Sequence, residues 1–334
     1  MSFAPTIRVR LTVESGRVRD VTLGPHGPSP AQALFVGVSA REIPARAATV
    51  FALCPIAQSV AAELAISAAH GATTALDRSR QAALACEHLA ENLRSLVLAW
   101  PGAQPDAETL KNLRSALDAL RGLADSAAAD RQSRMLVLRD AAAALGFGLD
   151  DRAQRWFPRL LHMTSSDPLL GSCAIPAPDA LGAGDDEAIF GSLASGVRAA
   201  SRPEVSVSIP ALLRARGAAI AATIDRLASI AAEESPNGSA RSQSLGANKG
   251  AAAVDSPRGR LFHTVELDDE DRVVAYRTLS PTDRNFAPGG PFERALLSRD
   301  IGAGPDAELA VARIAALYDP CVAFELKIAE GADA

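Results

Sequence analysis

Leu317-Tyr318-Asp319-Pro320-Cys321-Val322-Ala323-Phe324-Glu325 ends a helical pattern that begins at about Asp306, close to the end of a chain of 334 residues. Proline cannot continue a helix, so the Asp-Pro pair predicts a turn that holds Cys321 outside the helix. Near the other end of the chain, Phe51-Ala52-Leu53-Cys54-Pro55-Ile56-Ala57-Gln58 has a second cysteine next to a proline. The alanine-rich run 59–70 that follows predicts a helix, and Pro55 suits its first turn. A thiolate at Cys54 would then lie at the positive end of that helix, which we expect to lower its pKa.

The composition limits the classes of protein to which the chain can belong. Hydrophobic residues make up 48% of it but aromatic residues only 4%, which favours closely packed helices over a β-sandwich. The net charge of −5, with both signs interspersed, gives no basic footprint for nucleic acid. No apolar run approaches the about 18 residues of a membrane span, and residues 1–5 begin no signal peptide. The four cysteines are widely spaced and form no disulfide framework, so we expect a reduced, cytoplasmic protein.

Hydrophobic periodicity predicts an α+β fold that is mainly α, with a helical core and small β-hairpins. Helices are expected at about 78–100, 106–122, 130–145, 210–234 and 306–317. Alternating apolar residues predict hairpins over 7–23 and 261–279. The segment 235–256 is rich in Ser, Gly, Ala and Asn without apolar periodicity, and we expect a flexible loop there.

The four cysteines divide into two pairs by their surroundings in the sequence. Cys86 lies on the apolar stripe of a predicted helix, where a buried cysteine acts as a small hydrophobic residue, and Cys173 is assigned to structure in the same way. Cys54 and Cys321 lie in proline-containing turns, from which both side chains can point into one cleft. Two such thiolates can share a metal, form a disulfide or be mere neighbours.

The kinds of metal site that two cysteines can form are limited. The five histidines are scattered, so a closed zinc site with four closely spaced ligands is not expected. Two thiolates form an incomplete, soft site that suits iron whose other positions hold non-protein ligands.

Three segments, in this order along the chain, resemble the metal-binding elements of nickel-iron hydrogenase large subunits. That family holds its metals with a Cys-x-x-Cys pair near the N-terminus and an Asp-Pro-Cys-x-x-Cys pair at the C-terminus. Cys54 matches the second cysteine of the N-terminal pair, and Cys321 matches the first cysteine of the C-terminal pair. Pro257-Arg258-Gly259-Arg260-Leu261-Phe262-His263 resembles a Pro-Arg-Gly-x-Leu-x-His element, whose arginine lies over the iron and its diatomic ligands. Pro281-Thr282 resembles a segment that hydrogen-bonds a cyanide. The resemblance therefore implies Cys54 and Cys321 as metal ligands, and Arg258 and Thr282 as residues that bind the ligands of the iron.

The chain departs from the family at the other two cysteines, where Phe51 and Phe324 stand. Because a nickel-iron site needs four thiolates, we expect no nickel and no hydrogenase activity. One cysteine of each pair remains, so the chain is similar to hydrogenase expression/formation proteins of the HupK/HoxV type. That resemblance implies one large-subunit-like domain over residues 1–334 and a transient cargo of iron with cyanide and carbon monoxide ligands. The partners that it implies are the maturation chaperones that carry this iron unit and the true large subunit.

Two alternatives remain open at this stage. A large-subunit-like protein that binds no metal could act only by contacting hydrogenase subunits or chaperones, and iron content after anaerobic purification distinguishes it. An enzyme of unrelated chemistry is the second alternative. The sequence offers no Gly-rich phosphate loop, no His-x-x-x-His pair and no nucleophile elbow for it.

Overall fold

The structure is a computed structural model that describes residues 6–24, 30–148, 154–178, 183–195, 205–231 and 239–331. Its helices are α1 (Ile43–Val50), α2 (Pro55–Ala69), α3 (Arg78–Leu98), α4 (Ala107–Leu120), α5 (Ala128–Leu145), α6 (Trp156–Ser165), α7 (Asp186–Ser195), α8 (Ile209–Ala231), α9 (Pro281–Asn285), α10 (Pro291–Leu296) and α11 (Gly304–Tyr318). Its strands are β1 (Thr6–Glu14), β2 (Arg17–Leu23), β3 (Ala174–Pro176), β4 (Ser206–Ser208), β5 (Ala240–Gly246), β6 (Lys249–Ser256), β7 (Gly259–Leu267), β8 (Val273–Leu279) and β9 (Ala323–Glu330). The predicted fold class, α+β and mainly helical, is confirmed.

One sheet joins the two ends of the chain in the strand order β2-β1-β9. The first predicted hairpin is confirmed, with β1 antiparallel to β2, and β9 adds a parallel strand on the other side of β1. Alternate residues of β1 point into the core, and Ile7, Val9 and Leu11 are almost completely buried. Since β9 begins two positions after Cys321, this sheet anchors the C-terminal turn to the body of the protein.

A four-stranded antiparallel sheet in the order β5-β6-β7-β8 contains the second predicted hairpin, which is confirmed as β7 and β8. The flexible loop expected over 235–256 is wrong from residue 240 onward, because β5 and β6 occupy that stretch; residues 235–238 lie outside the described residues. The run Gly250 to Ala253 in β6 is buried, with Gly250 and Ala252 against α2 and with Ala251 and Ala253 on the opposite face of the sheet. The same small residues that hide any apolar periodicity let the helix approach the sheet closely.

The helices cover these sheets and form most of the core. The buried stripe of α3, which includes Leu89, Leu93 and Leu96, joins the largest apolar cluster together with residues of α8 and α11. Helix α2 lies on the four-stranded sheet and contributes to a second cluster. None of the described helices combines the length and the apolar character that crossing a bilayer requires.

Candidate metal centre

Cys54 lies between α1 and α2 and occupies the N-cap position of α2, directly before Pro55. The predicted helix start is therefore confirmed. The side chain of Cys54 is buried, and its Sγ accepts a hydrogen bond from Nε2 of Gln58, one turn along the helix, at 3.6 Å. The thiol thus faces the interior of the protein, with an amide group as its neighbour.

A chain of buried hydrogen bonds fixes the orientation of Gln58. Its Oε1 lies 2.8 Å from Nε2 of His263, and Nδ1 of His263 lies 2.6 Å from the hydroxyl of Tyr276. Burial lowers the pKa of His263 to about 3, so its ring is neutral and carries one N–H. That N–H donates to Gln58, and the other ring nitrogen accepts from Tyr276. This network holds the Gln58 amide in the orientation that donates to Cys54.

Cys321 lies in the turn after α11, where Asp319 adopts a left-handed conformation (φ 48°) that ends the helix. Its neighbour is Thr282 in the first turn of α9. The Thr282 hydroxyl donates to Sγ of Cys321 at 3.1 Å and accepts the backbone N–H of Cys321 at 3.2 Å. Burial is the main cause that raises the pKa of Cys321. Cys321 and Thr282, both predicted site residues, are therefore in direct contact in the structure.

Arg258 lies in the turn between β6 and β7 and points toward the C-terminal turn. Its Nε donates to the backbone oxygen of Asp319 at 3.0 Å, and its Nη2 lies 3.4 Å from Oε2 of Glu91 on α3. The side chain is only 8% exposed. Nη1 of Arg258 is buried without a hydrogen-bond partner among the residues that the structure describes. A buried guanidinium donor without an acceptor is costly, so this atom is suited to receive an acceptor from a bound molecule.

Electrostatic interactions link Arg258 to both Cys54 and Cys321. Burial opposes the charge of Arg258, but Asp319, Cys321, Cys54 and Glu91 together raise its pKa above the ordinary value. The arginine is therefore within electrostatic reach of both sulfur atoms. Their roles in binding a metal stay predictions.

The expectation that the end of α2 lowers the pKa of Cys54 is wrong. Burial first, and then the neighbouring Cys321, raise the pKa of Cys54 from 9.0 to about 12. Burial outweighs the effect of the helix end, and Glu87 of α3 weakens that effect further, because its carboxylate accepts the backbone N–H groups of Ile56 at 2.7 Å and Ala57 at 2.9 Å. These are the groups through which a helix N-terminus stabilises an anion, and they are already occupied.

Glu87 was missed by the sequence analysis because it lies on the buried side of an ordinary amphipathic helix. Burial raises its pKa from 4.5 to about 7, against the lowering effect of its two hydrogen bonds. A groove of about 600 Å³ between α3, α4 and the Cys54 segment is lined in part by Pro55, Ile56, Glu87 and Glu91. The Glu87 carboxylate thus binds the first turn of α2, next to Cys54, and also lines this surface groove.

We expect Glu87→Gln to remove a pH dependence of stability between about pH 4.5 and pH 7. In this window the folded protein holds a proton on Glu87 that the unfolded chain has lost, so stability of the wild-type protein falls as the pH rises. The shift corresponds to about 3 kcal/mol across the window. Urea unfolding at several pH values measures it. Glu91→Gln is the matched control and should keep most of the slope, and equal slopes for wild type and Glu87→Gln would contradict the assignment.

Arg216 of α8 supports the turn that carries Cys321, and the sequence analysis did not identify it. Its Nη1 donates to the backbone oxygen of Ala316 at 2.9 Å, and its Nη2 lies 3.4 Å from Oδ2 of Asp319. The hydroxyl of Ser95 donates to the other carboxylate oxygen of Asp319 at 2.9 Å. Helices α3 and α8 therefore hold the left-handed residue that ends α11.

The remaining two cysteines stand apart from the site. Cys86 is buried in the main apolar cluster, where burial raises its pKa to about 12, and Cys173 donates from Sγ to the backbone oxygen of Leu169 at 3.1 Å. Within the described parts of the chain, no group of three or more His, Cys, Asp or Glu side chains could hold a metal ion.

Comparison with known proteins identifies the family. The chain is 34% identical over 370 aligned residues to the hydrogenase expression/formation protein HupK of Rhizobium leguminosarum bv. viciae, covering 99% of this chain and 98% of that protein. It belongs to the HupK family. A second HupK, from Bradyrhizobium diazoefficiens, is 30% identical, with 100% of this chain and 99% of the relative covered. Full-length coverage means that the HupK likeness extends through the middle of the chain, where the sequence analysis found only helical patterns.

The chain shares its fold with hydrogenase large subunits. Residues 194–325 match the family model described as nickel-dependent hydrogenase. The nickel-iron-selenium hydrogenase of Desulfovibrio vulgaris Hildenborough in its reduced state matches with a TM-score of 0.60 and 13% identity, over 93% of this chain and 95% of that one. The enzyme of Desulfomicrobium baculatum gives a TM-score of 0.61 at 12% identity, over 93% and 95%. At these identities the likeness establishes the large-subunit fold alone.

Proposed function

We propose that this HupK-family chain acts in the maturation of nickel-iron hydrogenases, as a scaffold that binds or relays iron carrying cyanide and carbon monoxide during cofactor assembly. The names of its full-length relatives support the general role in hydrogenase formation. The observation that carries the specific role is the contact of Arg258 and Thr282 with the turn that bears Cys321, together with the electrostatic interaction of Cys54 with Cys321 and Arg258. The iron unit is a cargo here, received and passed on.

The side chains at the site fit such a cargo. Thiolates are soft ligands, suited to iron that carries carbon monoxide, and Cys54 and Cys321 offer two of them. The unpartnered Nη1 of Arg258 provides a buried donor for the nitrogen of a cyanide. Thr282 adds a hydroxyl beside Cys321 that can turn from the sulfur to a bound ligand. The positive charge of Arg258 would also offset the negative charge of the thiolates and cyanides.

A catalytic nickel site does not fit the same side chains. At the positions that match the missing cysteines, Phe51 packs against Phe35 with ring centroids 6.4 Å apart, and Phe324 packs against Phe292 at 6.0 Å. Aromatic rings therefore stand where the resembling motifs of the family place two nickel thiolates. We propose an accessory role without hydrogenase activity and without nickel.

Loading of the cargo should release protons. Burial holds both thiols in their protonated form at neutral pH, and a metal binds the thiolate. The iron unit must therefore displace a proton from each sulfur. Return of these protons to the sulfur atoms favours release of the cargo. This property suits a scaffold that passes the iron unit on. The proposed partners are the maturation chaperones that carry the iron unit and the hydrogenase large subunit that receives it, in the cytoplasm.

The test is infrared spectroscopy and iron analysis of protein purified without oxygen from cells that make hydrogenase. We expect cyanide and carbon monoxide bands from the wild-type chain. Cys54→Ser and Cys321→Ser should each reduce bound iron at least about tenfold, because a hydroxyl is a poor ligand for soft iron. Hydrogenase activity of cells that carry each variant should fall with the iron content.

Cys86→Ser and Cys173→Ser are the matched controls, since neither sulfur belongs to the site. They should keep the infrared bands, even where Cys86→Ser lowers stability by placing a hydroxyl in an apolar cluster. Normal hydrogenase maturation with both Cys54→Ser and Cys321→Ser would rule out the iron scaffold. A metal-free protein that acts through contacts with hydrogenase subunits or chaperones would then be the better description.

A further inference from the structure

Strand β9 leaves one of its edges open. In the sheet order β2-β1-β9 it pairs with β1 alone, and no other strand among the described residues lies along its second edge. The core-facing side chains of β9 are only half-buried, whereas their register partners in β1 are almost completely buried: Phe324 with Ile7, and Leu326 with Val9. A strand added at this edge would bury more of the apolar face, and an open edge of this length is a template for such pairing.

The sequence of β9 is complementary to itself in the antiparallel direction. It contains the run Ala323-Phe324-Glu325-Leu326-Lys327-Ile328-Ala329. When two copies pair about a two-fold axis at Leu326, alanine meets alanine, Phe324 meets Ile328, and Glu325 meets Lys327. Every apolar side chain then faces an apolar one, and both charged positions face the opposite charge. These are the cross-strand pairs that stabilise an antiparallel ladder.

The backbone of β9 allows this register. The N–H of Gly331 donates to the backbone oxygen of Val13 in β1 at 2.8 Å. Backbone groups alternate along a strand, so the odd-numbered residues of β9 face β1 and the even-numbered residues face the open edge. Residues 324, 326 and 328 then present free N–H and C=O groups to a second strand. In the register centred on Leu326 these residues form the hydrogen-bonded pairs, and Glu325 and Lys327 form the closer pairs between them.

The charges beside β9 give a reason for the second copy. Lys327 lies opposite Arg10 in the β1 register, a like-charge pair, and no ion pair of Lys327 is found in the described residues. Glu325 lies opposite Arg8, and their side chains meet at 3.4 Å while both remain exposed. A second β9 strand would place a carboxylate beside each Lys327, which relieves the repulsion from Arg10.

We propose that this edge is the docking surface for a second copy of the same chain, with the two β9 strands antiparallel and the two sheets joined into one. The occupant follows from the charge pattern, since a strand must carry lysine opposite Glu325 and glutamate opposite Lys327, and β9 itself does. Cys321 lies before the paired segment, so each copy keeps its own candidate metal centre. The proposal is independent of the iron cargo.

The test is the oligomeric state of the full-length chain, measured by sedimentation velocity over a range of micromolar concentrations. We expect a species of twice the chain mass of 34.6 kDa. Glu325→Lys and Lys327→Glu should each weaken the dimer about tenfold or more, because each change turns two attractive pairs into two repulsive ones. Mixing the two variants should restore a heterodimer, since lysines of one copy then face glutamates of the other. The effect should shrink in about 1 M salt.

Glu330→Lys is the matched control. It makes the same change of charge on the same strand, but outside the reciprocal pair, and should leave the dimer intact. Circular dichroism of each variant verifies the fold. A wild-type chain that stays monomeric would overturn the proposal, as would a dimer that neither single change weakens or a mixture that fails to associate. A monomer that pairs this edge with a strand of another protein would replace the second copy with that partner.

Discussion

Asp186→Ala should lower the free energy of unfolding by about 3 kcal/mol, because it leaves part of a buried guanidinium without its partner. Asp186 begins α7 and forms a two-pronged pair with Arg260 of β7, with Nη2–Oδ2 at 2.6 Å and Nε–Oδ1 at 3.0 Å. The two side chains are at most 1% exposed. Urea unfolding followed by circular dichroism measures the loss. We place the expected cost at the lower end of the range for buried pairs, because Arg260 keeps its contact with Asp255.

Asp255→Ala is the matched control for this prediction. Asp255 also pairs with Arg260, at 2.8 Å, but its side chain is 40% exposed. Water can replace that carboxylate, so its removal should cost no more than about 1 kcal/mol. Equal losses for the two variants would contradict the view that burial, and not the number of partners, decides the cost. Arg260 lies two positions after Arg258, so the loss should also loosen the turn that carries the candidate site.

The sequence predicted the parts of the site that depend on local chemistry. Proline marks where α2 begins after Cys54 and where α11 ends before Cys321, because proline restricts the backbone regardless of the rest of the fold. The resemblance to hydrogenase large subunits then implied Arg258 and Thr282, and the structure places both against the turn that carries Cys321, while their roles stay predictions. Without the resemblance, no periodicity or spacing in the chain could have predicted that these distant segments lie close together.

The residues that the sequence analysis missed depend on tertiary contacts. Glu87 looks like any acidic residue on an amphipathic helix until α2 is placed with its first N–H groups against it. Arg216 in the same way has no local signal, because its partners Ala316 and Asp319 lie in α11 and in the turn that ends it. The error in the pKa of Cys54 has the same origin, since its burial and the occupation of the helix end by Glu87 both arise from tertiary packing.

The largest error concerned β5 and β6, and its cause is the use of small residues at a close contact. Strand signals rely on β-branched and aromatic side chains, which pack well on an exposed pleated surface. Strand β6 has Gly250 and three successive alanines instead. Gly250 and Ala252 are buried against α2, and Ala251 and Ala253 are buried on the opposite face, in a cluster with Ile189 and Phe190 of α7. Composition alone cannot distinguish such a strand from a loop. The helix against which the small residues pack lies nearly two hundred positions earlier in the sequence.

Gly250→Ala should therefore be among the most damaging single changes in the chain, with an expected loss of about 3 kcal/mol or more. A Cβ atom at this position would lie 2.0 Å from the backbone oxygen of Ala65 and 2.4 Å from the backbone nitrogen of Ala69. Both atoms belong to α2, so no side chain can rotate away and the whole helix must shift from the sheet. Thermal or urea unfolding of the variant measures the loss.

Gly191→Ala provides the comparison for Gly250→Ala. Gly191 lies within α7, and a Cβ there meets nothing within 4 Å, so the same substitution should raise stability by up to about 1 kcal/mol through helix propensity. A small effect of Gly250→Ala would show that α2 does not rest on β6 through this contact. Helix α2 begins directly after Cys54, and β6 ends just before the turn that carries Arg258. Forcing the helix and the strand apart should separate these two residues, so folded Gly250→Ala protein should retain less iron than folded Gly191→Ala protein if the cargo is held as proposed.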